Sequence, residues 1–126
     1  FREDIGNELE KDDLIRISEP RPNTTVTSPL TVKGMARGNW FFEASFPVHL
    51  YGHFDPRHPE LVSIGTGIAQ AKGEWMTTEF VPFEAIVTFD GEERSVGTGQ
   101  LILEKSNPSG LSEHTNELRV PVRFKK

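Results

Sequence analysis

The chain has no cysteine among its 126 residues. A disulfide framework, a thiol nucleophile and a cysteine-ligated zinc or iron–sulfur site are thereby excluded. No apolar run approaches the roughly 18 residues that a membrane-crossing helix needs, so no membrane insertion is expected of this stretch. Positive charge is also short. Against 19 Asp and Glu stand 14 Lys and Arg, a net charge of -5. Broad nucleic-acid binding needs a basic field and is not expected. Phosphate-binding loops, Gly-x-Ser-x-Gly and His-Glu-x-x-His are missing too. Gly65-Thr66-Gly67 opens like a dinucleotide fingerprint, but the third glycine position holds Gln70 and no βαβ pattern surrounds it. It reads instead as a strand whose small residues let backbones approach. The chain opens at Phe1 without a signal-peptide pattern, which reads as a processed or cloned fragment.

What is present fits one domain. The acidity is concentrated at the start. Residues 1–20 hold seven acids and three bases, net -4, leaving -1 for the rest. Residues 1–13 therefore read as an acidic arm or linker, and 14–126 as the folded domain.

Short alternating runs fill that domain, separated by glycine and proline. Ile15 and Ile17 alternate with polar neighbours, as do Leu30 and Val32. Phe42, Ala44, Phe46, Val48 and Leu50 are apolar at period two, the pattern of a half-buried strand. Val62, Ile64, Thr66 and Ile68 form another run, and Phe83, Ala85, Val87 and Phe89 a third. Leu101 and Leu103 suggest a fourth, its phase blurred by Ile102. Leu118, Val120, Val122 and Phe124 end the chain. No stretch of ten residues keeps a 3.6-residue period. Seven to eight short strands predict an all-β fold, an antiparallel sandwich whose two sheets cover each other. Pro47, Pro82 and Pro121 fall inside strands and should mark edges, bulges or breaks, because proline donates nothing to a ladder. Turns are expected at Pro20–Asn23, Phe54–Pro59, Asp90-Gly91 and Ser106–Asn116.

The search for chemistry returns little. His49, His53 and His58 lie within ten residues, with Asp55 among them, but the spacing is of no known metal-ligand type. No metal and no other cofactor is expected. Glu43, Glu79 and Glu84 are carboxylates on or near strands, without a visible pairing for acid–base work. Ser109 and His114 make no triad recognisable from spacing. The chain is therefore read as a non-enzyme. The aromatic residues carry more information. Trp40, Phe41, Tyr51 and Trp75 are the candidate binding residues, since an exposed ring docks a peptide or a sugar plane. If Phe42 is core, Phe41 faces outward on the same strand. The competing reading makes Trp40 and Phe41 core.

One string is distinctive. Thr27-Ser28-Pro29-Leu30-Thr31-Val32-Lys33-Gly34-Met35-Ala36 is followed by Phe42-Glu43 and its long alternation, and later by Leu118-Arg119-Val120-Pro121-Val122. From about Ile15 to Phe124 the chain resembles the immunoglobulin-like domain of bacterial spore germination proteins. The resemblance implies an immunoglobulin-like β-sandwich and supplies no catalytic residues. It implies an extracytoplasmic binding or spacer module of a cell-envelope protein, with another envelope protein as partner. The alternative is a carbohydrate- or peptidoglycan-binding sandwich using its aromatics, with cell-wall glycan as the ligand. Residues 53–59 and 92–97 depart from the pattern by their length, and member-specific function would sit there.

Overall fold

The computed structural model describes residue 6 and residues 10–55, 58–89, 98–105 and 116–124; for 53–55 and 58–62 the backbone alone is described. The strands are β1 (Ile15–Glu19), β2 (Thr25–Val26), β3 (Leu30–Arg37), β4 (Ser45–Asp55), β5 (His58–Ala71), β6 (Phe80–Phe89), β7 (Thr98–Glu104) and β8 (Glu117–Phe124). A 3₁₀ turn, Gly38–Trp40, follows β3. The all-β expectation is met.

The strands form one continuous ladder in the order β1-β3-β6-β5-β4-β7-β8-β2. Its two ends, β1 and β2, are consecutive in the chain. They are one N-terminal extended stretch split by Pro20–Asn23, where two prolines and an Asn23 at φ 65° turn the backbone. β1 joins β3 and β2 joins β8. The ladder thus wraps almost fully around its core. Antiparallel pairing was expected throughout. The β2–β8 pair is parallel instead, since β2 continues the course of β1 into the other layer and meets β8 head to head. Asn23 N–H donates to the Pro121 carbonyl (2.7 Å) and Arg123 N–H to that of Thr24 (2.9 Å).

The corner of the wrap lies at β5. Its inward positions carry Gly65, Gly67, Ala69 and Ala71, opposite Leu50, Val48 and Phe46 of β4 and Phe89 and Phe83 of β6. With so little side chain on β5, the rings of its neighbours close over it. Phe46 meets Phe83 edge to face at 4.9 Å. A Cβ at Gly65 or Gly67 would stand 2.7 Å from the Thr88 carbonyl oxygen or 2.6 Å from that of Ile86. The Gly65-Thr66-Gly67 string is therefore a close backbone approach, as read from the sequence. On the far side of the core, Phe89 of β6 touches Phe124 of β8 at 5.8 Å, a contact between layers.

The inward residues of β3, β6, β4, β7 and β8 form one buried cluster, including Val32, Phe83, Val87, Phe46, Val48, Leu50, Leu101, Leu103, Leu118 and Val120. Two phase expectations need correction. The strand at Phe42 starts later, at Ser45, because Glu43 and Ala44 take positive φ (52° and 66°) in a two-residue turn closed by Phe42 and Ser45. Phe42 lies before this turn and is exposed. On β5, the run Ile64, Thr66, Ile68 is not one inward face: Ile64, at the register shift, packs against the core, whereas Thr66 and Ile68 are exposed. Beyond a register shift at Leu50/Tyr51 the small odd-numbered residues point in, and Thr66 and Ile68 point out. Ile102 also faces outward, between His49 and Arg119, yet is buried.

The three strand prolines sit where one neighbour has stopped. Pro47 precedes the pairing of β4 with β7, which starts at Val48. Pro82 lies past the last β5 pair, Ala71–Phe83, and Pro121 lies before β2 begins. No lost ladder bond results on the side that continues. The expected turn at Phe54–Pro59 is mostly strand: β4 runs to Asp55 and β5 starts at His58. The Asp90-Gly91 and Ser106–Asn116 turns lie almost wholly outside the described residues. The acidic lead-in is tied to the sandwich at its end. Asp12 pairs with Arg16 (3.3 Å) and Asp13 with Arg37 (3.3 Å). Both guanidiniums stack on the Phe80 ring, at 4.3 and 4.2 Å from its centre. Further upstream, Gly6 lies against the Arg119 carbonyl and the Pro121 ring, at φ 77° and with no room for a side chain.

Candidate functional site

The aromatic candidates separate once folded. Trp40 is 1% exposed and Phe41 4%. Both belong to the core, which corrects the expectation that they present rings to a ligand. The 3₁₀ turn after β3 drives Trp40 inward, and the Glu43-Ala44 turn resets the phase so that Phe41 packs edge to face on Phe46 (5.3 Å). Tyr51 is half-buried on the outer side of β4, its ring 6.2 Å from that of His49. Trp75 is half-buried in the segment after β5, packed against the core, with its carbonyl beside Gly38. The four residues do not form one patch.

The histidines are spread over β4 and β5. His49 lies on β4 opposite Thr66, and His53 lies four residues further along the same strand, roughly 13 Å away at strand rise. His58 starts β5 opposite Asp55. Among the described residues no three histidine, aspartate or glutamate side chains are placed to hold a metal. His49 Nε2 faces Glu104 at 3.8 Å. Glu84 is engaged by Lys72, whose ammonium stands 3.0 Å from its carboxylate. The hydrogen bond from Lys72 and then its charge hold the Glu84 carboxyl below the ordinary 4.5. Glu43 sits in the tight turn and Glu79 donates its N–H to Thr77 Oγ1 (3.1 Å). Ser109 and His114 lie outside the described residues.

The surface feature that strand phase alone creates is the outer face of β1, β3, β6 and β5. Three cross-strand rows make it. In the first, Thr31 pairs with Ile86 and Ile68 with Pro47, and the β5–β6 pairs on either side, Thr66–Thr88 and Gln70–Glu84, bring Ile68 level with Ile86 when their register is carried through. The second row holds Lys33, Glu84 and Gln70. The third brings Arg16, Met35 and Pro82 together. Ile68 is 54% exposed, Ile86 51% and Met35 39%. Directly opposite residues of neighbouring strands stand with Cβ atoms about 5 Å apart, so Ile68 and Ile86 form one patch. The sequence held a signal for it. Ile86 and Met35 are apolar residues at the outward phase of clear alternations. Ile68 was hidden, because its run looked like a core face until the bulge was known.

A shallow hollow of about 350 Å³ lies where the ladder ends, lined by Ser18 to Arg21, Thr24 to Thr27 and Pro29 to Thr31. Its edge is already guarded. Arg21 donates from its guanidinium to the Ile17 carbonyl on the open side of β1 (2.7 Å), and Pro20 and Pro29 flank it.

Comparison with curated proteins and with solved structures returned no match. The family model for Gmad2, the immunoglobulin-like domain of bacterial spore germination, matches residues 14–111. The match begins beside β1 and takes in seven of the eight strands, stopping before β8, which closes the ladder between β7 and β2. With its strand architecture and the matched span together, the chain belongs to the Gmad2 family of immunoglobulin-like domains of bacterial spore germination.

Proposed function

We propose that this domain is a non-catalytic binding or spacer module of a bacterial cell-envelope protein, held outside the cytoplasm and linked to spore germination. Family membership supports the setting. The observation that carries the binding role is the exposed Ile68–Ile86 pair with Met35 on an otherwise regular sheet face. Monomeric surfaces scatter single apolar residues freely, but adjacent large ones on a flat face mark contact sites. The sheet face thus replaces the aromatic residues as the surface for a protein contact. Trp40 and Phe41, being buried, offer no plane to a sugar, and the glycan reading is not carried forward.

Location outside the cytoplasm is tested with one thiol. The chain has no cysteine of its own, and Gly73 is exposed with open space around its Cα. A Gly73→Cys variant of the full-length protein, in its native host, should react with a membrane-impermeant maleimide in intact cells. The unsubstituted protein sets the background. Labelling of the variant only after lysis would refute the location. The binding role is tested in the same cells with Ile68→Lys/Ile86→Lys. Loss of the germination response with unchanged protein level is expected, and an unaffected response would reduce the domain to a spacer.

A further inference from the structure

We propose that the acidic lead-in is a strap: through Gly6 it closes the stretch of the β8 edge that β2 does not reach, and another strand gains that edge only by displacing it. The inference is independent of what the Ile68–Ile86 face contacts.

Backbone direction defines the edge. Asn23 N–H donates to the Pro121 carbonyl and Arg123 N–H to that of Thr24, so the odd-numbered residues of β8 turn their backbone groups toward β2. Direction alternates along a strand. The groups of Arg119 therefore face the same way as those of Pro121 and Arg123, while those of Leu118 and Val120 face β7. β2 pairs with Arg123 and Phe124. Among the described residues no strand is paired on this side of Arg119.

Gly6 takes that place. A Cβ there would overlap the Arg119 carbonyl and stand 3.0 Å from Cδ of Pro121. Its φ of 77° lies in the left-handed region, which glycine adopts without steric cost. Gly6 is the only glycine before Gly34, and it falls where the contact requires one. Pro121 points outward from β8, opposite Gln100, yet is buried.

The other end of the lead-in is anchored. Arg16 Nε and Arg37 Nε donate to the carbonyls of Asp12 and Asp13, both at 3.0 Å, and the Lys11 carbonyl accepts from Leu14 and Ile15. A tethered segment meets its seat at high effective concentration, so a small contact holds it. Charge favours the same seat. Residues 1–9 carry Glu3, Asp4 and Glu8 against Arg2, net -2. β8 presents Arg119 and Arg123 on the side of Pro121, with Glu117 4.0 Å from Arg119. Open backbone groups along a strand edge are the template that strand addition uses. The strap withdraws that template, and so acts as an autoinhibitory contact.

Nuclear magnetic resonance of the 126-residue chain tests this. An Overhauser contact between the Gly6 Hα and Pro121 Hδ protons is expected, and slow deuterium exchange at the Arg119 amide. Gly6→Val fits neither the angle nor the space. It should speed exchange at Arg119 about tenfold and leave Val120, which faces β7, unchanged. Should the valine disturb the whole fold, both amides accelerate together, and the Overhauser contact of the unsubstituted chain decides. Absence of that contact overturns the proposal. So does an Arg119 amide that exchanges as fast as in an unstructured peptide, or one that Gly6→Val leaves as slow as before in a folded chain.

Discussion

Ala44 shows how a single backbone angle redirects a strand. With Glu43 it occupies the left-handed region, which costs an L-residue roughly 1–2 kcal/mol. The two-residue turn they form favours Asn-Gly, and neither residue is of that type. Ala44→Gly should therefore stabilise the fold by about 0.5–1 kcal/mol, after the loss of chain entropy on ordering a glycine. Urea unfolding measures it, and a destabilised variant would mean that the Ala44 methyl group matters more than the strain. Glu84 makes a second residue-scale test. Its carboxyl is held below the ordinary 4.5 by the Lys72 hydrogen bond and charge. A depressed folded value contributes stability above the unfolded value and loses it as pH falls through the folded one. Glu84→Gln should thus be less stable than wild type by a constant difference from neutral pH down to about 4.5, and the difference should shrink on further acidification. A gap that widens toward low pH contradicts the sign.

At the scale of elements, β5 is the strand that makes a wrapped ladder out of a flat one. Its inward residues are small so that β4 and β6 bring Phe46 and Phe83 together over it. Gly67→Ala puts a methyl group 2.6 Å from the Ile86 carbonyl oxygen and should cost about 1–3 kcal/mol. A neutral effect would show that the corner has slack. This strand also explains what the sequence disclosed and what it hid. Alternation located β3, β4, β6 and β8 because their inward residues are large, and a sandwich of seven to eight strands followed. On β5 the large residues Thr66 and Ile68 face out and the glycines and alanines face in, so hydrophobicity pointed the wrong way. The bulge at Leu50/Tyr51 that sets this phase leaves no mark in composition. The same blindness moved the candidate site. Trp40 and Phe41 were legible as important aromatic residues, but their direction depends on a 3₁₀ turn and two positive φ angles. Ile68, Ile86 and Met35 take their meaning only from register across three strands.

At the scale of the molecule, the ladder closes on itself except between β1 and β2. That gap is flanked by Pro20 and Pro29 and capped by Arg21. The edges of the sandwich are thus poor templates for another strand. Its outer face instead joins apolar rows to a balanced set of charges. That face is where the proposed contact of the module with another envelope protein would form. The most direct measurement is photo-crosslinking in the native host, with Ile86 of the full-length protein replaced by a benzophenone amino acid. The account predicts a covalent adduct to another envelope protein, formed outside the cytoplasm and strongly reduced by Ile68→Lys. No adduct, or one whose yield ignores Ile68→Lys, would contradict it.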